Sequence, residues 1–331
     1  MNEWLFGEAS EHLGPVRQSV AAANRTSLQE SCRVWSGTSF SRNIIWIASY
    51  PKSGNTWVRV FLHNLLREMR GETEGAQDIN ALNRFSVWEH SVPLFTQALG
   101  KPPKEANAEE IARARPIVQR LIAGRTNRFL PAKTHLAYGR DHGVPTVDPE
   151  VTRAAIYLVR NPLDVVISYA HHMGQSIDQT IALMGMPNMC TPATDRHVGE
   201  TMGSWSQHVE SWLQGVPFPV YVMRYEDIVT HPKVAFGNLS CFLGLQPDEA
   251  QLTAAITKSS FEALQAQEGQ NGFREKPKVA ERFFREGRVG QWRLALTKPQ
   301  ILAVLRDHAE VMERLRYLID SKGSASMLPE T

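Results

Sequence analysis

The stretch Asn43-Ile44-Ile45-Trp46-Ile47-Ala48-Ser49-Tyr50-Pro51-Lys52-Ser53-Gly54-Asn55-Thr56-Trp57 decides the fold. Its first half is an Ile-rich apolar run with a Trp, the composition of a buried strand. Pro51, Ser53 and Gly54 then mark a tight turn. Beyond the turn Val58, Phe61, Leu62, Leu65 and Leu66 recur at helical spacing, which predicts a helix from Asn55 to about Arg70. Strand, turn and helix, with Lys and hydroxyl residues in the turn, form an anion site. The first N–H groups of a helix have no intrahelical acceptor and point at the ligand, and the helix dipole adds positive potential. Lys52 supplies a point charge.

The turn is P-loop-like but departs from the common P-loop. G-x-x-x-x-G-K-[ST] puts a Gly directly before the Lys. Here Pro51 precedes Lys52 and Gly54 follows Ser53. The order Y-P-K-S-G-N-T-W instead resembles the 5′-phosphosulfate-binding loop of the sulfotransferases that use 3′-phosphoadenylyl sulfate (PAPS). The resemblance implies that Lys52, Ser53, Gly54, Asn55, Thr56 and Trp57 bind this nucleotide. An ordinary strand-to-helix turn with a surface Lys is the competing reading, so the rest of the chain has to decide.

The chain has 331 residues, 42% hydrophobic and 21% charged, with a net charge of +2. That is enough for a large core, and it excludes a disordered chain. No basic run dominates, so nothing points to nucleic acid. Cys32, Cys190 and Cys241 are too few and too scattered for a disulfide framework or a zinc site. Cys241 lies in an apolar helical pattern, which predicts a core position. His171-His172 lacks further ligands at metal spacing and fits a half-buried helix face, so no metal is expected. No apolar run reaches the roughly 18 residues of a membrane span. With Glu3 and Glu8 near the start and no apolar signal segment, the expected location is cytoplasmic. The sequons at Asn24 and Asn238 then carry no meaning.

Residues 1–42 are Ser/Ala/Glu-rich and read as an appendage, residues 43–322 as one domain and 323–331 as a tail. Residues 71–104 read as a long irregular segment with Phe and Trp, facing the substrate. Residues 105–124 read as a helix that Pro116 bends or restarts. A short strand is expected near 128–136. Ala154–Arg160 reads as a buried strand, with Asn161 capping and Pro162 starting the next helix. Residues 174–199 read as a mobile loop and 200–214 as a helix. A strand is expected at 218–223, then helices near 232–243 and 248–258, a polar loop over 268–292 and a helix over 298–320. This alternation predicts an α/β fold, a single domain whose central parallel sheet is flanked by helices. The ligand belongs beyond the C-terminal strand ends.

Arg160 leaves the end of a buried strand, where a charge needs a partner or a ligand. Ser168 follows two helical turns later. A structural ion pair of Arg160 with Asp164 is the plain alternative. The string R-N-P-L-D-V-V-I-S-Y, however, resembles the 3′-phosphate-binding segment of the same sulfotransferases, which implies that Arg160 and Ser168 hold that phosphate. Lys133-Thr134-His135-Leu136 resembles the segment carrying their catalytic base. The resemblance implies a catalytic role for His135, Lys52 and Lys133. A lone His after a strand is otherwise more often structural.

Arg282-Phe283-Phe284-Arg285-Glu286-Gly287-Arg288-Val289-Gly290-Gln291-Trp292-Arg293 resembles the family's R-K-G-x-x-G-D-W-K segment, which closes over the nucleotide. Arg285 and Gly287 match its phosphate-contacting positions, while Glu286 reverses the charge of the usual Lys. Tyr225 and the Ser259-Ser260-Phe261 string resemble the adenosine site, which implies that Tyr225, Ser259 and Phe261 contact the nucleotide.

The implied reaction moves the sulfuryl group of PAPS to a hydroxyl or amine of a small, partly apolar acceptor and releases adenosine 3′,5′-bisphosphate. No metal is required. A P-loop-type kinase or NTPase would need a Mg²⁺-binding acid, for which Asp227 is the candidate. A non-catalytic nucleotide-binding protein with a decayed site is the other rival. The K-x-x-x-T-V-x-x-x-E segment by which many animal relatives dimerise is absent, so the oligomeric state is open and a homo-oligomer, though allowed, is not indicated.

Overall fold

The computed structural model describes residues 42–318, apart from 127, 192 and 196. Most of the expected appendage, the expected tail, Cys32 and Asn24 lie outside the described residues. The strands are β1 (Ile44–Ser49), β2 (Val87–Trp88), β3 (Leu130–Thr134), β4 (Arg140–Asp141), β5 (Val144–Pro145), β6 (Thr152–Val159) and β7 (Val220–Arg224). Five of them form one parallel sheet in the order β2-β3-β1-β6-β7, and β4 and β5 pair as an antiparallel hairpin.

β1 runs through the middle with every residue buried. Ile44, Trp46 and Ala48 pack into the core on one face, and Ile45 and Ile47 into the core on the other. β6 does the same, with Ala155, Tyr157 and Val159 on one side and Ala154, Ile156 and Leu158 on the other. Helices cover both faces, so these strands read as continuous apolar runs rather than alternating ones. The one polar atom that β1 buries on Trp46 is satisfied, since its indole N–H donates to Thr152 Oγ1 at 2.9 Å.

The register places the site. Ala48 pairs with Thr134, Ser49 with Leu158, and Val159 with Arg224. Parallel strands that stop level with one another deliver their next residues to one edge. The turn at Lys52, the residue His135, Arg160 and Tyr225 therefore all leave the sheet on the same side.

Most expected elements are found within a few residues of their predicted bounds, and four regions differ. Residues 71–104 are not irregular throughout. They hold β2 at the sheet edge and a helix at Val92–Leu99. Two residues are too short to show a period, so β2 left no pattern. Residues 174–199 contain a helix, Ile177–Gly185, opened by a capping box of Ser176 and Gln179. The helix expected from 200 starts only at Trp205, with Ser204 as its cap. The loop expected over 268–292 begins late, because the helix Phe261–Asn271 runs into it. Pro116 sits inside one continuous helix, Ala108–Ala123, without breaking it. Cys241 is exposed rather than in the core, on the outer side of the helix Pro232–Phe242. Among the described residues no helix is long and apolar enough to cross a membrane.

Candidate functional site

The turn after β1 opens the helix Asn55–Met69 in an unusual way. Gly54, its N-cap, has φ of 104° and offers no side-chain cap. The first N–H groups of the helix are left for a ligand. Gly is needed here, since φ is positive and a Cβ would come within 3.0 Å of the Tyr225 ring. Asn55 ties the turn to the sheet by donating to the Ile47 carbonyl at 2.8 Å. Ser53 Oγ and Asn55 Oδ1 are buried with no hydrogen-bond partner among the described residues.

Lys52 also has a positive φ, 65°. Its ammonium lies 3.9 Å from the centre of the Phe283 ring and 3.5 Å from His172 Nδ1. Burial, followed by repulsion from Arg160 and Lys133, pushes it down to about 7. The Lys133 ammonium lies 4.4 Å over Trp88 and 3.6 Å from Glu275 Oε2, and burial lowers it as well. Arg160 stacks 4.1 Å over Tyr225 and donates to the carbonyls of Lys52 at 3.2 Å and Arg288 at 3.1 Å. Its Nε is buried without a partner among the described residues. Asp164 does not take the guanidinium. Its carboxylate instead accepts from the backbone N–H groups of Gly290 at 2.7 Å and Trp292 at 3.0 Å. The alternative of an Arg160–Asp164 ion pair is thereby set aside.

His135 follows β3 and faces the same cavity. Its Nδ1 lies 2.7 Å from the Ser49 carbonyl. A carbonyl only accepts, so Nδ1 carries the hydrogen and Nε2 keeps a lone pair. Burial, then Lys133, pushes the imidazole down to about 4. The backbone is fixed on both sides. The His135 N–H donates to Glu200 Oε1 at 2.9 Å, and the buried His208 donates from Nε2 to the His135 carbonyl at 3.0 Å. The Tyr157 hydroxyl donates to His208 Nδ1 at 2.9 Å, which sets that tautomer.

The C-terminal loop forms the other wall. Glu268 accepts from the N–H groups of Phe283 and Phe284 at 2.7 and 2.9 Å. Gly287 has φ of 65°, and a Cβ there would lie 2.4 Å from the Phe261 ring, so any other residue would be strained and would have to displace that ring. Glu286 is held between Arg285 and Arg288, and Arg285 also donates to Gln291 Oε1 at 2.8 Å.

These elements enclose a cavity of about 460 Å³. Lys52, Gly54, Asn55, Thr56, Trp57, Lys133, His135, Arg160, Ser168, Tyr225, Phe261, Arg285 and Gly287 all line it. Ser53 is buried behind the turn, and Ser259 is not in the wall. The Ser259 hydroxyl is used up in structure, donating to Ala255 O at 2.7 Å and accepting from Asn64 at 3.0 Å. Asp227, the acid expected for a Mg²⁺-dependent reaction, is exposed and outside the wall. Among the described residues no group of three or more His, Cys, Asp or Glu is placed to hold a metal.

Glu275 carries no signal of its own in the sequence. It is bidentate to the fully buried Arg59 at 2.8 and 3.0 Å and close to Lys133. Burial works against this carboxylate, but Lys133 and Arg59 override it and hold it down at about 2. Glu200, His90 and His172 were missed too. A charged residue between Val58 and Val60 on a buried helix face was the one signal that Arg59 needed an acid.

Residues 42–316 match the family described as "Sulfotransferase domain". The chain belongs to this family. A curated relative, sulfotransferase 1C2 of Oryctolagus cuniculus, is 26% identical over 77% of this chain and 78% of its own length. Cytosolic sulfotransferase 15 of Arabidopsis thaliana is 26% identical over 86% of this chain and 73% of its own. Among solved structures, retinol dehydratase in a complex with retinol and PAP matches with a TM-score of 0.57 at 16% identity, over 87% of this chain and 86% of that one. At that identity the likeness speaks for the fold. The sulfotransferase fold is thus an α/β domain around a parallel sheet, and here its turn, Arg160 and His135 share one cavity.

The residues present fit a doubly anionic nucleotide. Lys52, Lys133 and Arg160 line one buried space, and Glu275 offsets only part of their mutual repulsion, so an entering anion is favoured. The orphaned Arg160 Nε and the uncapped helix start give further donors.

Proposed function

We propose that the protein transfers the sulfuryl group of PAPS to a hydroxyl of a small, partly apolar acceptor, with an amine as the lesser alternative. The observation that carries this reading is the meeting of three cations and an uncapped helix N-terminus with a His whose Nε2 is free to take a proton. Lys52, Asn55, Thr56 and the turn's N–H groups would hold the 5′-phosphosulfate. Arg160, Ser168, Arg285 and Gly287 would hold the 3′-phosphate, and Trp57, Tyr225 and Phe261 the adenine ring. Ser53 would contribute through its backbone, since its side chain is buried behind the turn.

PAPS supplies an activated sulfuryl group on a phosphate that leaves well. The protein's own part is positioning, electrostatics and one proton. His135 takes the acceptor proton at Nε2, held to that task by the Ser49 carbonyl on Nδ1. Its basicity rises as negative charge enters the cavity, because an anion nearby stabilises the imidazolium. Lys52 and Lys133 stabilise charge that develops on oxygen. Lys133 reaches this position from between Trp88 and Glu275, which fix it from two sides. The apolar walls of Trp88, Met173 and Met202 seat the acceptor and exclude water.

The test is calorimetric titration with adenosine 3′,5′-bisphosphate, followed by turnover of labelled PAPS with a panel of hydroxylated compounds read by mass spectrometry. Tight nucleotide binding and the gain of one SO₃ on an acceptor are expected without added metal. Binding of ATP in preference to the bisphosphate, or transfer that requires Mg²⁺, would refute the proposal.

A further inference from the structure

The cavity has a second polar cluster, apart from its cationic end, that neither the nucleotide-binding residues nor proton transfer uses. Glu200, His90 and His197 line it. Glu200 Oε1 is committed to the His135 backbone N–H, and Oε2 lies 3.1 Å from His90 Nδ1. His90 is only 6% exposed. It stands edge-on between Trp88, at 5.1 Å, and His197, at 5.6 Å, so its ring cannot easily turn. Both its ring nitrogens are buried without a hydrogen-bond partner among the described residues, Nδ1 lying within ion-pair distance of Glu200 but outside hydrogen-bond geometry.

Buried polar atoms in folded proteins nearly always find a partner, and one left over in the wall of a binding cavity is a vacancy for a ligand group. The chemistry of that group follows from Glu200. A carboxylate only accepts, so the charge of Glu200 favours the tautomer with the hydrogen on the facing Nδ1 and the lone pair on Nε2. Nε2 therefore calls for a donor. Trp88 next to it and Met202 in the same cavity wall supply flat and apolar surface, suited to a ring that carries the donor.

We propose that His90 is the specificity-determining residue of the acceptor site, accepting a hydrogen bond at Nε2 from a second O–H or N–H of the acceptor. The preferred acceptors then carry a proton donor besides the hydroxyl that is sulfated. This rests on the sulfotransferase reading above. It narrows the acceptor class from hydroxylated apolar compounds to those with two donors, of which an aromatic diol is the simplest.

The experiment is binding, so it does not depend on turnover. The protein is saturated with adenosine 3′,5′-bisphosphate and titrated with catechol, phenol and 2-methoxyphenol. The last keeps the second oxygen but lacks its hydrogen. Catechol should bind about tenfold or more tightly than either of the others, the worth of one buried hydrogen bond. In His90→Phe the three affinities should fall within about twofold of one another, since the Phe ring offers no acceptor. In His90→Gln, whose amide oxygen still accepts, part of the preference should return. The three-ligand comparison on the unchanged protein stands even if both variants fold poorly. Equal binding of catechol and phenol, no binding of any of the three, 2-methoxyphenol as tight as catechol, or a preference that survives in His90→Phe would each overturn the proposal. Failure of the bisphosphate itself to bind would instead refute the underlying reading, and this inference with it.

Discussion

Nucleotide affinity should fall as the solution becomes alkaline, and Lys52 sets how steeply. The protein's own groups push its ammonium down to about 7, through burial first and then Arg160 and Lys133. An anion bound against it reverses the penalty and returns it toward the ordinary value of about 10.5. Only the protonated form binds well, so affinity is complete below the lower value and is lost as pH rises through it. From about pH 7.5 to pH 9 the two values imply a loss of roughly 20-fold, about 1.8 kcal/mol. Working above about pH 7 avoids the second ionisation of the ligand's own phosphate, near 6. Calorimetry with adenosine 3′,5′-bisphosphate across this range gives the slope. Repeating it in buffers of different ionisation enthalpy counts the protons, and up to about one should be taken up on binding. Lys52→Met should remove that proton and most of the slope. Lys133 is lowered too, so a smaller residual slope is expected. Affinity that stays flat in the unchanged protein, or a slope that Lys52→Met leaves intact, would refute the reasoning.

Arg160→Ala should weaken PAPS by about tenfold to over a hundredfold, the worth of one charge-assisted contact, and adenosine 5′-phosphosulfate far less. Equal losses for both nucleotides would remove Arg160 from the 3′-phosphate. His135→Ala should keep the melting temperature and nucleotide affinity while turnover of an alcohol falls by about 10²–10⁴-fold. An acidic phenol, already ionised, should suffer less, and near-normal turnover of the alcohol in a stable variant would exclude His135 as the base. Hydrogen exchange over residues 285–289 should slow on addition of adenosine 3′,5′-bisphosphate, between anchors that Glu268 and Asp164 already hold. Unchanged exchange at saturation would mean that this loop does not close on the nucleotide.

The parts of the fold legible in the sequence were those whose signal is local and long enough to carry a period. β1, its turn and the next helix announce themselves because the apolar run, the turn residues and the 3.6-residue repeat follow one another without interruption. β6 and the Asn161-Pro162 start are equally local. β2 is the opposite case. Two residues become a strand only because β3 lies alongside. The helix Ile177–Gly185 was readable in principle, since Ser176 and Gln179 form a capping box, but Gly and Met content masked it. The site divides the same way. Lys52, Lys133, His135 and Arg160 sit at strand ends, where a chain position already implies a place. Glu200 reads as the start of a helix that it does not join, and Glu275 lies in a polar stretch with no periodicity. Each acquires meaning only from a distant neighbour, His135 for the first and Arg59 for the second.

The charge balance of the cavity explains how the reversed charge at Glu286 can stand beside an anion site. Glu286 is not loose in the cavity, because Arg285 and Arg288 hold it from either side. The local sum over these three residues is still positive, so the loop keeps an attraction for phosphate, but Arg285 is shared with Glu286 and Gln291 rather than reserved for the ligand. Glu275 likewise matches Lys133 and Arg59. Among the described residues, two buried cations of the nucleotide end have no ion-pair carboxylate against them: Lys52 rests on an aromatic face and an imidazole, and Arg160 on a ring and two carbonyls. A group paired to a carboxylate gains little from a second anion, whereas an unpaired buried cation gains most of its missing stabilisation from one. Binding energy for the nucleotide therefore concentrates on Lys52 and Arg160. A change at Arg285 should matter less in this chain than the same position's place in the family motif implies.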